Sequence, residues 1–135
     1  MRLCLMLPVA AALVFGAVAI QPVPAAAQTA PVAAKAQVPL ISAAELRALM
    51  KSKKPFFLVD VRDPAEFSAG HIPGAVLMPL DTLPQTYKRI PKGAKLVVNC
   101  RSGVRSAEAV RFLMDHGYKH VVSLDGGYLA WSAAH

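Results

Sequence analysis

The residues best suited to chemistry lie together in one short basic segment that begins at Cys100. Arginine side chains and the successive backbone N–H groups of a glycine-containing loop both donate hydrogen bonds to anions. Such donors stabilise a thiolate and lower the pKa of a cysteine, and they can also hold an anionic substrate against the attacking sulfur. We therefore interpret Cys100 as a reactive thiol. The residues that follow it in this loop are Arg101, Ser102, Gly103, Val104 and Arg105.

The elements predicted on either side of Cys100 place it at an edge of a sheet. Residues 95–99 form an apolar run that predicts a buried strand, and residues 106–116 have the spacing of an amphipathic helix that ends at Gly117. Ligands of open α/β sheets bind at the carboxyl ends of the strands. The positive N-terminal end of the following helix favours an anion at the same place.

Strands and helices alternate along the rest of the chain. A capping box of Ser42 and Glu45 begins the first helix, and Asp63 followed by Pro64 begins the second. The alternation predicts an α/β domain whose mainly parallel sheet is covered on both faces. The predicted strands span 56–61, 75–80, 95–99 and 121–124, and the predicted helices span 42–51, 63–69, 82–89, 106–116 and 128–134.

The length and charge of the chain limit its domain count and its partners. Its 135 residues suffice for one domain, and 15 Lys and Arg against 8 Asp and Glu give a net charge of +7. This balance favours small anions, acidic partners or membrane surfaces. The basic residues are scattered, with Lys51, Lys53 and Lys54 the densest cluster, so we expect no nucleic-acid partner. Because His116 and His120 lack a neighbouring cysteine or carboxylate cluster, we expect no bound metal.

The first 37 residues have the composition of a targeting segment. A basic start at Arg2, an apolar run over 3–20 and the small residues before Gln28 are typical of a secretory signal peptide. We expect a signal peptide over 1–27 that is cleaved after Ala27, a flexible leader over 28–37 and a domain over 38–135. The protein would then be periplasmic or secreted, with no stable membrane insertion. An uncleaved anchor is the alternative, because eighteen apolar residues nearly span a bilayer.

Cleavage at that site would leave Cys100 as the only thiol, because Cys4 would be lost. No intramolecular disulfide would then be possible, and the remaining thiol would be open to oxidation. The simpler interpretation is an inert buried cysteine that packs as a small apolar residue. The basic loop around Cys100 favours the reactive interpretation.

Three segments of the chain together resemble one known family. They are residues 60–67 running into 70–75, residues 100–106, and residues 124–127 followed by Trp131. In this order and spacing they are similar to the single-domain rhodaneses (thiosulfate sulfurtransferases) over residues 38–131. The resemblance implies a three-layer α/β fold in which a mainly parallel five-stranded sheet carries helices on both faces.

The resemblance also implies a reaction and the residues that carry it. In rhodaneses the loop cysteine attacks the outer sulfur of an anionic donor such as thiosulfate, sulfite leaves, and a persulfide remains for a cyanide or thiol acceptor. Carried over to this chain, Cys100 is the catalytic nucleophile and the backbone N–H groups of residues 101–105 form its cradle. The Arg101 and Arg105 side chains become candidates for binding the sulfonate end of the donor. No cofactor is implied, and we expect a monomer.

The length of the loop separates sulfur transfer from a related chemistry. Phosphatases and arsenate reductases on similar scaffolds have the spacing Cys-x5-Arg, and their larger ring of N–H groups fits a tetrahedral oxyanion. The spacing here is Cys-x4-Arg, which favours sulfur transfer over phosphate chemistry. A non-enzymatic persulfide carrier or protein-binding module remains the main alternative.

Four further residues have interpretations that a structure can test. We expect His71 to be structural rather than a general base, and Trp131 to anchor the last helix in the core. Arg62 and Glu66 are four residues apart and are predicted to form an ion pair. Asp60 ends a strand, where it could tune the loop or cap the helical turn that follows.

Overall fold

A computed structural model describes residues 37–134, which form one five-stranded sheet surrounded by helices. All four neighbouring strand pairs are parallel, in the order β1-β5-β4-β2-β3. The strands are β1 Leu40–Ile41, β2 Phe56–Asp60, β3 Val76–Leu77, β4 Lys95–Asn99 and β5 Val121–Leu124. The α-helices are α1 Ala43–Lys51, α2 Pro64–Ala69, α3 Leu83–Thr86, α4 Val104–Asp115 and α5 Gly127–Ala133, with a 3-10 turn at Tyr87–Arg89.

Alternate side chains of the central strands enter two separate cores. Val59 of β2 and Val98 of β4 pack on one face of the sheet in the core that includes α4. Their neighbours Leu58 and Val97 pack on the other face, in the core that includes α1 and α5. Because successive strand residues point to opposite faces, a sheet with apolar runs must be covered on both. The predicted three-layer α/β architecture is confirmed.

On the face of the sheet that carries α1 and α5, a capping box fixes the start of α1, and a contact between residues distant in sequence ties α1 to α5. The Ser42 hydroxyl accepts from the Glu45 N–H at 3.2 Å, and the Glu45 carboxylate accepts from the Ser42 N–H at 2.8 Å, so the predicted capping box is present. Trp131 is buried at 6% exposure, as expected for a core anchor. Arg47 donates to the Trp131 carbonyl at 2.7 Å and lies over its ring, which ties α1 to α5.

The structure differs most from the sequence prediction at β1, at β3 and at the start of α4. The two-residue strand β1 was not predicted, because Leu40–Ile41 is too short to show a period. The strand predicted over 75–80 shortens to Val76–Leu77, since Pro79 has no N–H to donate to the ladder. Helix α4 begins at Val104, two residues earlier than predicted, so Val104 and Arg105 belong to its first turn.

The predicted signal peptide precedes the residues that the structure describes. The predicted signal peptide over 1–27 and the leader up to residue 36 lie outside the described residues. Within residues 37–134, no helix combines the length and apolar character needed to cross a bilayer.

Candidate active site

Cys100 immediately follows β4 and points toward α4. Its side chain shares the core of Val98, two residues earlier on the same face of the strand, and the residue is 1% exposed. Only residues 101–103 separate it from the first residue of α4. Gly103 has φ of 100°, a left-handed conformation that glycine adopts without strain. This conformation lets the chain turn from strand to helix within three residues.

The Cys100 sulfur contacts donors from the loop and from α4. The Gly103 N–H donates to Sγ at 3.0 Å, and the Ser106 hydroxyl lies 3.4 Å from the same sulfur. The Ser106 Oγ is in turn 2.7 Å from the Ser123 Oγ on β5. Both serines are fully buried. A row of three hydrogen-bonded side chains therefore connects β4, α4 and β5 beneath the loop.

These contacts set the ionisation of Cys100. Burial is the largest single influence and raises the pKa of the thiol, because it disfavours the thiolate. The Ser106 hydroxyl and the backbone N–H groups of Ser106, Gly103 and Ser102 act in the opposite direction. Their combined effect is larger, so the pKa of Cys100 lies below its ordinary value. The structure thus attributes the lowered pKa to hydroxyl and amide donors.

The N-terminus of α5 fixes the orientation of the loop peptides. The Cys100 carbonyl accepts from the Tyr128 N–H at 2.7 Å, and the Arg101 carbonyl accepts from the Leu129 N–H at 3.1 Å. In a trans peptide the C=O and N–H groups point in opposite directions. The N–H groups of Arg101 and Ser102 are therefore turned away from α5. This packing brings Gly127 against the loop, where a Cβ would lie 2.5 Å from the Cys100 carbonyl oxygen.

The two loop arginines do not converge on one place. Arg105 pairs with Glu66 of α2 at 2.8 Å and borders an open cleft of about 490 Å³ that Asp81 and Glu108 also line. Arg101 is exposed and borders a second cleft of about 240 Å³, on the side of Glu66 and α5. The charge of Arg105 is matched by a carboxylate, whereas Arg101 presents its charge to solvent.

The predicted ion pair between Arg62 and Glu66 is wrong. Arg62 instead pairs with Asp60 at 2.7 Å, with both side chains buried, and it also donates to the Gly70 carbonyl. Arg62 precedes the cap of α2 rather than lying in the helix, so the four-residue spacing does not place it beside Glu66. Glu66 is left to pair with Arg105, 39 residues away in sequence.

Asp60 braces the strand ends and does not cap a helix. Its carboxylate accepts from the Arg62 guanidinium and from the Asn99 side chain at 3.2 Å. The cap of α2 is Asp63, whose carboxylate accepts from the Glu66 N–H at 2.8 Å. The chain segment before Cys100 is thus held to β2 by a buried polar contact.

His71 takes part in the packing at the end of α2. Its ring stacks on Phe67 with 3.8 Å between ring centres, and its Nδ1 lies 2.9 Å from the Phe67 carbonyl oxygen. These contacts favour the structural role expected for His71. Among residues 37–134, no group of three or more His, Cys, Asp or Glu side chains is arranged to hold a metal ion.

Ser106 and Ser123 contact the site, but the sequence pattern indicated only Cys100 and its loop. The available signal was a serine on the apolar face of each element: Ser106 lies on the face of α4 that also carries Val110, and Ser123 lies two residues after Val121 in β5. A polar side chain at a core-facing position needs a partner. Here the two serines partner each other and the sulfur.

Comparison with known proteins gives the family of this fold and site. The family model described as a rhodanese-like domain matches residues 42–134. A sulfurtransferase from Allochromatium vinosum is 45% identical over 75 residues, which cover 56% of this chain and 70% of that protein. The thiosulfate sulfurtransferase GlpE from Tolumonas auensis is 40% identical over 74 residues, covering 55% and 70%.

Solved structures agree with the sequence relatives. The crystal structure of a rhodanese-like domain protein from Staphylococcus aureus has a TM-score of 0.66 and 36% identity, covering 69% of this chain and 90% of that one.

A third sequence relative is a much longer protein. The probable adenylyltransferase/sulfurtransferase MoeZ from Mycobacterium tuberculosis is 37% identical over 94 residues, which are 24% of its length. The chain therefore belongs to the rhodanese-like domain family, and relatives within that family are named as sulfurtransferases.

Proposed function

We propose that this protein is a thiosulfate sulfurtransferase of the rhodanese type that carries sulfur as a persulfide on Cys100. The observation that carries the proposal is the 3.0 Å hydrogen bond from the Gly103 N–H to the Cys100 sulfur, in a loop whose donors lower the pKa of the thiol. A thiolate is the nucleophilic form of cysteine, and the same groups can donate hydrogen bonds to the anionic outer sulfur of a persulfide.

The proposed cycle has two displacement steps. The Cys100 thiolate attacks the outer sulfur of thiosulfate, the S–S bond of the donor breaks, and its electron pair leaves with sulfite. A thiol or cyanide acceptor, in its anionic form, then attacks the outer sulfur of the persulfide and restores the Cys100 thiolate. In each step one anion attacks the transferred sulfur and another anion leaves it, so no cofactor is required.

The two arginines take different parts in this proposal. Arg101 is an exposed residue of the Cys100 loop, so its side chain is the candidate for binding the sulfonate of the donor. Arg105 is paired with Glu66, so a donor can bind Arg105 only by competing with that carboxylate. The backbone N–H groups of Ser102 and Gly103 and the first turn of α4, which begins at Val104, complete the proposed substrate-binding loop.

A protein partner is the second candidate function. Val104 at the start of α4 is 74% exposed, and Leu129 on α5, whose N–H holds the Arg101 carbonyl, is 50% exposed. Exposed apolar side chains beside a reactive loop favour a macromolecular donor or acceptor. In this alternative the domain is a persulfide carrier with little turnover on small donors.

We further propose that the protein is exported, with cleavage after Ala27. This proposal rests on the composition of residues 1–27. N-terminal sequencing of the protein from cell fractions tests it. A mature chain that begins at Gln28 in the periplasm or medium supports export, and an intact Met1 in the membrane fraction supports the anchor.

Steady-state kinetics of thiosulfate:cyanide transfer test the proposed reaction. The wild-type protein should give parallel lines in double-reciprocal plots, as a double displacement requires. Cys100→Ser should reduce the rate to background, and Ser132→Ala, an exposed site on α5, serves as a control for substitution as such. Turnover by Cys100→Ser at the wild-type rate would exclude the proposal, and negligible wild-type turnover together with a stable protein partner would favour the carrier.

A further inference from the structure

We propose that Ser106 is a positioning residue for the release of sulfur from Cys100, and that Ser123 orients the Ser106 hydroxyl for this role. The inference rests on the proposed persulfide cycle and assigns two residues to one of its steps. The sequence assigned no role to either serine, although Ser106 ends the 100–106 segment that resembles the rhodaneses. They act on the sulfur that leaves when the acceptor takes the persulfide.

The geometry brings the three side chains together from three elements. Cys100 immediately follows β4, Ser123 lies on the neighbouring strand β5, and Ser106 lies near the start of α4. The Ser106 Oγ is 2.7 Å from the Ser123 Oγ and 3.4 Å from the Cys100 sulfur. A distance of 2.7 Å between hydroxyl oxygens is that of a well-formed hydrogen bond. All three residues are between 0 and 1% exposed.

The positions of the two hydroxyl hydrogens decide which side chain donates and which accepts in each hydrogen bond. Each serine hydroxyl has one hydrogen to donate and can also accept. When Ser123 donates to Ser106, the Ser106 hydrogen is free to point at the Cys100 sulfur. That direction suits a thiolate, which accepts and does not donate. The reverse direction suits the neutral thiol, whose hydrogen can point at the Ser106 oxygen.

Two ion pairs lie near the strand ends. Asp60 pairs with Arg62, and Glu66 pairs with Arg105. The groups in direct contact with the sulfur are the Ser106 hydroxyl and backbone N–H donors. The charged side chains on the elements around the site include Asp60, Arg62, Asp63, Glu66, Asp81, Arg101, Arg105, Glu108 and Asp125.

The second displacement is the step in which charge returns to this sulfur. In the persulfide the negative charge is on the outer sulfur, beyond Cys100 Sγ. The acceptor thiolate attacks the outer sulfur, the bond between the two sulfurs breaks, and its electron pair passes to Sγ. A donor aimed at Sγ therefore stabilises the transition state more than the persulfide before it. A leaving thiol of lower pKa also departs faster.

The first displacement responds differently to the same donors. There the charge on Sγ is consumed as the bond to the donor sulfur forms. Stabilising the thiolate raises the fraction of reactive enzyme but lowers the nucleophilicity of each thiolate, so the two effects partly cancel. Loss of the Ser106 hydroxyl should thus slow sulfur release more than sulfur loading.

Single-turnover kinetics of the full chain test this assignment. The protein is loaded with thiosulfate, freed of excess donor and mixed with a small thiol, and loss of the persulfide is followed by quenched mass spectrometry. Ser106→Ala should release sulfur about threefold more slowly, or slower still, while loading changes less. Ser123→Ala should change the release rate in the same direction by a smaller factor. Ser132→Ala, an exposed matched control, should leave both rates unchanged.

A double variant tests whether Ser123 acts through Ser106. If it does, the variant with both Ser106→Ala and Ser123→Ala should release sulfur no more slowly than Ser106→Ala alone. If the two substitutions instead slow sulfur release by independent factors, so that the double variant shows their product, the role given to Ser123 is overturned. Equal slowing of loading and release in Ser106→Ala would overturn the role given to Ser106, since a purely structural defect would act on both steps.

A second readout does not need a persulfide. The pH midpoint of Cys100 alkylation by iodoacetamide should rise by about one unit in Ser106→Ala, because a hydrogen bond to the thiolate is lost. An unchanged midpoint would overturn the inference. If no variant or wild-type protein ever loads sulfur, the proposed function fails, while the alkylation midpoints still decide whether the serine pair stabilises the charge.

Discussion

The guanidinium of Arg105 lies 2.8 Å from the carboxylate of Glu66, which joins the first turn of α4 to α2 beside the Cys100 loop. The two side chains are 36% and 23% exposed, so the ion pair is partly open to solvent. An ion pair with this exposure is worth about 1 kcal/mol or less. An anionic donor can therefore compete with Glu66 for Arg105 at a modest free-energy cost.

Glu66→Gln should make the protein more effective with anionic donors. The change removes the carboxylate and leaves the charge of Arg105 free, so kcat/KM for thiosulfate should rise by about two- to fivefold at low ionic strength, and the gain should shrink with salt. Glu108→Gln, at a carboxylate that lines the cleft beside Arg105 but is not paired with it, is the matched control. A fall in kcat/KM for Glu66→Gln would mean that the ion pair is needed to hold the loop.

Cys100 should ionise below the usual range of a free thiol. Its alkylation rate against pH should have a midpoint below that of a free cysteine, because hydrogen bonds to the thiolate outweigh the effect of burial on its pKa. The rate is measured with a small neutral alkylating agent, and a small free thiol in the same buffer serves as the reference. A midpoint at or above that of the reference would contradict the hydrogen-bonded thiolate.

The same lowered pKa predicts how stability depends on pH. A thiol whose pKa is lower in the folded than in the unfolded state binds fewer protons when folded, so folding is favoured as pH rises. Its contribution is complete above the unfolded pKa and is lost as pH falls through the folded pKa. In urea unfolding, the difference in the free energy of unfolding between the wild-type protein and Cys100→Ala should therefore change with pH across this window, in favour of the wild-type protein as pH rises. A constant difference would count against the pKa shift.

Gly127→Ala should disturb the Cys100 loop through the backbone. Gly127 has φ of 58°, and an added Cβ would lie 2.5 Å from the Cys100 carbonyl oxygen and 2.6 Å from the Arg101 carbonyl carbon. The strained backbone and the collision together should lower the free energy of unfolding by about 2 kcal/mol or more, measured by urea titration. Sulfur transfer at temperatures where the variant is folded should also fall.

The control for this substitution is Gly93→Ala. Gly93 also has a positive φ, of 89°, but an added Cβ would meet nothing within 4 Å. Gly93→Ala should therefore lose about 1–2 kcal/mol in the free energy of unfolding from backbone strain alone, and it should retain activity. Equal losses of stability and activity in the two variants would mean that contact with the loop is unimportant.

The sequence was sufficient for the layer order and for the position of Cys100. Apolar runs such as 95–99 mark strands buried on both faces, and a cysteine after such a run must lie at the carboxyl edge of the sheet. The short loop length could likewise be counted directly. These features depend on local pattern, which a single sequence carries.

The contacts that tune the site could not be obtained in the same way. The ion pair of Glu66 with Arg105 joins residues 39 apart, and Arg62 was assigned to the wrong carboxylate because a helical spacing was applied before the helix begins. Ser106 and Ser123 meet only because α4 packs across β5. Such pairings depend on the crossing of elements, which spacing along the chain does not define.

The measurement that tests the central proposal most directly is intact-mass spectrometry after incubation with thiosulfate. The wild-type protein should gain the mass of one sulfur atom, located on Cys100 by fragmentation and lost again on addition of cyanide or a small thiol. Cys100→Ser should gain nothing under the same conditions. A wild-type protein that stays unmodified while remaining folded, or a sulfur atom located elsewhere in the chain, would contradict a persulfide cycle at Cys100.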